Sequence, residues 1–359
     1  METKVLEEEL TYPSADGEHT IHAKVWMAED PECVFAPVAD AVEEASEVAK
    51  AGEAREIEQT DCEETAPEAA FQYPRAIIQL VHGMAEHIDR YRDFAEYLVR
   101  QGFVVCAENH LGHGTSVNSE DELGHVSLAA GKAAYLADMH HLRNVVQERY
   151  SDVPYIMFGH SMGSFMTRSY VAHHGEGLSA AIMCGTGHQP YLLSAAGNVL
   201  AKLMCRIQGE KRRNAFIDSL GAGGFAKSIP NARTAVDWIS TDNRVVDAYI
   251  ADPACGQMFS VSAYAMLTDL TKEIVTSVHA VQVPTRLPLL FIAGAEDPVG
   301  EKGKAVKKAV ALYKKAGVSQ VDLKLYDGMR HEILNEPDHL RVYEDVVRWI
   351  SDCLKNTTN

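Results

Sequence analysis

The pentapeptide Gly159-His160-Ser161-Met162-Gly163 sets one serine between glycines two positions away on either side, directly after the apolar run 155–158. A helical segment, 162–174, follows at once. A serine on so sharp a strand-to-helix turn is lifted clear of both elements, where its hydroxyl can act as a nucleophile. Glycines at 159 and 163 remove Cβ atoms that would collide across such a turn. The Met162 amide, at the helix start, would face an oxyanion forming on the attacked carbonyl. Taken alone the pattern also describes an ordinary small-residue turn, so it needs partners. A nucleophilic hydroxyl requires a base, and the base requires an orienting acid. Asp297 follows the apolar run 289–293, and His331 follows the next run, 321–326. Singly, these read as a turn acid and a loop histidine. Together, Ser161, Asp297 and His331 each follow a separate strand and should meet at one sheet edge. Glu296 is the nearest competitor for the acid, and Asp327 a weaker one. The loop after 77–81 holds His82-Gly83, where Gly83 lets the chain turn closely and the Met84 amide becomes the second oxyanion donor.

These residues need a scaffold, and the hydrophobic pattern describes one. Runs 76–81, 103–108, 155–158, 180–184, 289–293 and 321–326 have the length and near-continuous apolarity of strands buried on both faces. Helical segments at 90–101, 131–149, 162–174, 301–316 and 338–355 alternate with them. The last of these carries Leu340, Tyr343, Val347, Ile350 and Leu354 on one predicted face. Such β-α-β repetition predicts an α/β architecture with a mainly parallel central sheet flanked by helices. Before it, residues 10–26 read as two strands joined at Asp16-Gly17. About a hundred residues separate run 180–184 from run 289–293, and they read as a helical cap, 187–284, over the strands' C-terminal ends, where open sheets of this kind bind ligands. The sheet layer is then 1–27, 73–186 and 285–359.

Of 359 residues with a formal charge of −18, the stretch 28–72 holds fourteen Asp/Glu against two Lys/Arg. Poor in aromatics and without a steady apolar face, it reads as an acidic surface insertion. The remainder carries only −6, and the overall acidity argues against nucleic acid as a partner. The start METKVLEEEL lacks the basic and apolar regions of a secretory signal, and no run approaches the ~20 apolar residues of a membrane span. Seven scattered cysteines without a C-x-x-C pair read as free thiols in a reducing cytoplasm. HGMAEH and ENHLGHG lack the H-E-x-x-H spacing of a zinc hydrolase, so no cofactor and no catalytic metal are expected, and His110 and His113 are read as shaping their loop.

The segments VHGMAEHIDRY, ENHLGHGTS, FGHSMGS, AGAEDPVG and GMRHEILNE together resemble the α/β-hydrolase superfamily, and more narrowly its monoacylglycerol lipase and lysophospholipase branch, the serine aminopeptidase S33 or Hydrolase-4 type. The resemblance runs from Ala76 to the C-terminus and includes the cap segment DWISTDNRVVDAYIADPACG. It implies Ser161 as nucleophile, His331 as base, Asp297 as its partner, and the Met84 and Met162 amides as the oxyanion hole. It also implies two-step hydrolysis of an ester through an acyl-enzyme. ENHLGHG departs from the family, which more often has an aspartate and an arginine there, and leaves the structural role of Glu108 and Leu111 open.

The cap must select the substrate. Val199, Leu200, Leu203, Met204 and Ile207 fall on one predicted helical face, with Lys202 and Arg206 outside it and the basic run 211–213 beyond. That face is either packed on its own domain or forms an apolar wall for an acyl chain, with transient membrane-surface contact nearby. The leading reading is a carboxylic-ester hydrolase for monoacylglycerol, lysophospholipid or a similar single-chain lipid. An aminopeptidase using Asp237, Asp242, Asp247 or Asp252 to hold an amino group stays open, as do an acyltransferase and a non-catalytic binding protein of the same fold. Oligomeric state is not readable. Because a surface loop tolerates deletion, removing 31–70 should leave esterase activity within a few-fold in a steady-state assay. Near-total loss in a folded deletion variant would contradict the surface-loop reading.

Overall fold

The computed structural model describes residues 3–30 and 73–357; the acidic stretch expected as an insertion lies, from 31 to 72, outside the described residues. Eight strands, β1 (Val5–Pro13), β2 (Thr20–Ala28), β3 (Ile77–Val81), β4 (Val104–Glu108), β5 (Tyr155–His160), β6 (Ala180–Cys184), β7 (Leu289–Gly294) and β8 (Val321–Tyr326), form one sheet in the order β1-β2-β4-β3-β5-β6-β7-β8. The β1–β2 hairpin is antiparallel, as is its junction to β4, and every pairing from β4 to β8 is parallel. Gly17, at φ 80°, and Asp16, whose carboxylate accepts the Glu18 and His19 amides at 2.9 and 3.0 Å, close the hairpin.

In chain order the α-helices among the described residues are α1 (Arg92–Arg100), α2 (Gly131–Arg149), α3 (Met162–His174), α4 (Tyr191–Gln208), α5 (Ala215–Ser219), α6 (Asn243–Ala251), α7 (Val261–Glu273), α8 (Ser277–Ala280), α9 (Lys304–Lys315) and α10 (His339–Thr357). Alternate strand residues divide the core into two layers, as the twofold strand period requires. Ile78, Val105, Ile156, Phe158, Ile182 and Ile292 face the layer closed by α1 and α10. Ile77, Val104, Met157, Met183 and Phe291 face the layer closed by α2, α3 and α9. Each such large side chain contributes about 1.5–3 kcal/mol on full burial, which makes the sheet centre the rigid body from which the loops project. On α10 the buried face is centred on Val342, Tyr343, Val346 and Ile350, which leaves Leu340 at its rim and exposed, unlike the predicted stripe.

Helices α4 to α8 all lie between β6 and β7. Arg168 of α3, fully buried, ties them to the sheet layer by donating to the carbonyls of Gly187 at 2.7 Å and Ile274 at 2.8 Å. The fold is that of an α/β-hydrolase with a mostly parallel sheet flanked by helices.

Glu108, at the end of β4 opposite Ala23 of β2, is buried and accepts the Tyr12 hydroxyl of β1. Burial lifts its pKa to about 8, against the pull of the Tyr12 hydrogen bond and of His141. Burial likewise lifts Asp138, which accepts from the Ser14 hydroxyl and Ala15 amide, to about 6. A carboxyl that binds its proton more tightly folded than unfolded supports the fold at low pH, and that support is lost as pH rises through the folded pKa. Above about pH 6 Glu108 is the one of the two still losing its proton, so it should contribute a fall in stability of up to about 1.4 kcal/mol per pH unit toward pH 8. Urea unfolding between these limits should show that fall in the wild type and a flatter profile in Glu108→Gln. Equal slopes would contradict it.

Candidate active site

Ser161 joins β5 to α3 with φ 54° and ψ −120°, a conformation that costs a non-glycine residue roughly 1–3 kcal/mol. Its amide donates to the Cys184 carbonyl of β6 at 2.9 Å, while Phe165 and Ser164 turn back onto its carbonyl as the first turn of α3. The flanking glycines are sterically demanded. A Cβ on Gly163 would run into the Val81 and His82 carbonyls, and one on Gly159 into the Gly163 carbonyl and the Thr167 hydroxyl.

Asp297 leaves the end of β7 fully buried, and its Oδ1 accepts the Val299 amide at 2.8 Å. Its Oδ2 lies 3.0 Å from Nδ1 of His331, which is itself buried in the loop after β8. Glu296 is exposed and pairs with Lys302 at 2.7 Å, and Asp327 is exposed, so neither competitor meets the imidazole. With Nδ1 bound to the carboxylate, Nε2 is the nitrogen left to exchange a proton, and it is buried without a hydrogen-bond partner among the described residues. The ring lies against Gly185, where a Cβ would stand 3.0 Å from its Cε1. Gly185 directly follows the Cys184 carbonyl that anchors Ser161, so the elbow and the imidazole share one edge of the sheet. No hydrogen bond joins the Ser161 hydroxyl to Nε2 here. Such contacts are often long in a free site and tighten when substrate binds.

In register Val81 lies opposite Gly159, so the loop after β3 starts alongside the elbow. A Cβ on Gly83 would stand 3.0 Å from the Ser161 Cβ. The Gly83 amide donates to Glu86 at 2.6 Å, and Ala85 takes a φ of 53°. Among the described residues neither the Met84 nor the Met162 amide has a protein acceptor.

A charged network the sequence reading does not single out holds these loops together. Arg90 donates to Glu86 at 2.6 Å and, with two nitrogens, to Glu332 at 2.8 and 2.6 Å. Glu86 also accepts the Tyr91 hydroxyl at 2.7 Å, and that hydroxyl lies 2.8 Å from His160 Nδ1. Burial pushes the Glu86 carboxyl up, but His160 and Arg90 outweigh it and hold it well below its usual range. Burial likewise opposes charge on His160, yet its hydrogen bond with Glu86 raises its pKa. Arg90 thus joins the Gly83 loop to the residue after His331. From the cap, the Tyr249 ring lies 4.9 Å from the Arg90 guanidinium and its hydroxyl donates to the Ala85 carbonyl at 3.0 Å. The i,i+4 spacing of Glu86 and Arg90 was the legible signal.

Cap residues depart from the predicted single face. Leu200 and Met204 of α4 pack into the core, whereas Val199, Leu203 and Ile207 are exposed at 68%, 51% and 72%. The five span one arc of the helix, but α7 covers the flank carrying 201, 204 and 205, so the boundary of burial cuts through that arc. Each cap aspartate considered for an amino group is engaged: Asp237 with Thr234, Asp242 with the Arg244 amide at the start of α6, Asp247 with Arg233, and Asp252 with His87. His82 and His110 stack with ring centroids 3.9 Å apart, and His113 meets both edge-on. His82 accepts the His110 amide on Nε2 at 3.0 Å, and burial lowers the pKa values of His110 to about 3 and His113 to about 4, which keeps them neutral.

A monoacylglycerol lipase of Mycolicibacterium smegmatis is 29% identical over 288 residues, 77% of this chain and 88% of that protein. A monoglyceride lipase of Rattus norvegicus is 25% identical over 281 residues, 77% of this chain and 83% of that one. Among solved structures, a thermostable carboxyl esterase from Bacillus coagulans in complex with glycerol superposes with a TM-score of 0.79 at 29% identity, covering 97% of this chain and 99% of that one. The family model described as serine aminopeptidase, S33 (Hydrolase_4) matches residues 72–338, and the chain belongs to that family of α/β-hydrolases.

Proposed function

We propose that this protein is a serine carboxylic-ester hydrolase that cleaves single-chain lipid esters, monoacylglycerol or lysophospholipid, through Ser161, His331 and Asp297. The buried Asp297–His331 pair, with its free Nε2 beside the strained Ser161 turn, carries this reading. His331 takes the hydroxyl proton as Ser161 attacks the ester carbonyl, and Asp297 steadies the imidazolium. The Met84 and Met162 amides receive the oxyanion, each donor worth roughly 3–4 kcal/mol in comparable sites. His331 then gives its proton to the departing alcohol, and water repeats the sequence on the acyl-enzyme. Glu86, Arg90 and Glu332 act as positioning residues for both loops. The lipase and esterase names of the relatives support the substrate class. Against an aminopeptidase, all four cap aspartates are already engaged.

The exposed Leu192, Val199, Leu203 and Ile207 of α4, with Phe216 and Leu220 beyond, form an apolar ridge edged by Lys202, Arg206 and Arg212. This composition fits contact with an anionic lipid surface. Among the described residues no helix is long and apolar enough to cross a membrane. Cys106, Cys184, Cys205 and Cys255 are buried free thiols, which agrees with a cytoplasmic location.

A chain-length series of acyl esters, run with wild type and Ser161→Ala, tests the reaction class. Long monoacyl esters should be turned over and aminoacyl-arylamides ignored, with Ser161→Ala at least about a thousandfold slower. Arylamide cleavage without ester cleavage, or an active Ser161→Ala variant, would contradict it. Leu203→Asp should weaken vesicle binding and long-chain turnover while sparing short soluble esters. Unchanged vesicle binding in the folded variant would remove the ridge from the account.

A further inference from the structure

Away from the Ser161 edge, three potential ligands converge where α3 meets the cap. His173 Nε2, near the end of α3, lies 3.2 Å from Oε1 of Glu273, the last residue of α7. His279 Nε2, on α8, lies 3.9 Å from the same oxygen, and all three ligand atoms fall within 4.8 Å of one another. The second Glu273 oxygen is already held by Lys132 and, at 3.4 Å, by the Ser169 hydroxyl, which leaves Oε1 turned toward both imidazoles.

His279 supplies the independent observation. Its side chain is 3% exposed, yet neither ring nitrogen has a hydrogen-bond partner among the described residues. Buried polar groups are rarely left so, because burial without a partner strips them of the hydrogen bonds that water would supply. His173, by contrast, is 43% exposed and opens the cluster to solvent.

We propose that His173, Glu273 and His279 form a binding site for a divalent ion of the zinc class, clamping the C-terminal end of α3 to the cap. Bonds of about 2.0–2.2 Å in a tetrahedral shell put ligand atoms roughly 3.3–3.5 Å apart; the two spacings to Oε1, 3.2 and 3.9 Å, lie close to that range, and the two imidazoles have to draw together from within 4.8 Å. Two imidazoles and one carboxylate match zinc, whereas magnesium and calcium select all-oxygen shells. The fourth position is reached from solvent beside His173. Lys132 and Arg168 oppose a cation here, and Asp269, 3.1 Å from Lys132, offsets part of their charge. The ion would gather the orphaned His279 into a bond and brace the helix whose first turn holds Ser161.

Metal-stripped full-length protein titrated with Co²⁺ reports the site directly. Wild type should develop saturable visible bands of a four-coordinate ion at one equivalent, without a near-ultraviolet thiolate band. Zn²⁺ should displace the Co²⁺ and raise the unfolding temperature. His173→Ala, a change at a half-exposed position, should weaken binding at least about tenfold and abolish the thermal shift. The other cluster of mixed ligands, His87, Asp252 and Cys255, supplies the control, because an ion there would give a thiolate band that Cys255→Ser removes. Absence of saturable Co²⁺ absorption in wild type, unchanged binding in His173→Ala, or a band lost in Cys255→Ser would each overturn the proposal.

Discussion

One residue of strained backbone governs the arrangement. Ser161 is held at positive φ between a fully buried strand and a helix packed against the sheet, and it cannot relax without moving one of them. Neither glycine beside it can be replaced without driving a Cβ into a carbonyl of β3 or α3. The strain is small against the burial of β5, whose six residues are all inaccessible, so the sheet dictates the turn and the turn dictates where the hydroxyl stands.

The loops that meet this turn have no sheet to hold them, and charge takes over that task. Arg90 clasps Glu86 of one loop and Glu332 of another, with the Tyr249 ring of the cap lying over it. Within a low-dielectric interior such bidentate pairs are directional, and losing one partner leaves a buried charge unmet. The cap reaches the His331 loop a second time: Arg330 donates to the carbonyls of Asp237 and Ser240, and the Trp238 ring lies 5.0 Å from that of His331. The cap and the loop that carries His331 are therefore mechanically joined.

Much of this was legible because buried parallel strands leave an unmistakable trace. Apolar runs of four to six residues located β3 to β7, and once their ends were known Ser161, Asp297 and His331 had to project from one edge. Glu296 and Asp297, adjacent in sequence, could be separated only by the fold, which turns one into solvent and the other onto the imidazole. Helical faces were harder. On α4 the layers on either side compete, and the pattern of apolar residues did not say that Leu200 and Met204 pack inward while Leu203 and Ile207 face out. The Arg90–Glu332 pair was out of reach for a simpler reason: its members are 242 positions apart, and no local periodicity links them.

The central claim is that the Ser161 hydroxyl is made reactive by an imidazole the chain supplies from another strand. The most direct test is the rate at which a fluorophosphonate modifies the protein, followed by intact mass and peptide mapping. One equivalent should attach to Ser161 in wild type, and His331→Ala should slow the reaction by orders of magnitude while circular dichroism stays unchanged. Labelling at another residue, or equal rates in the two proteins, would contradict the account.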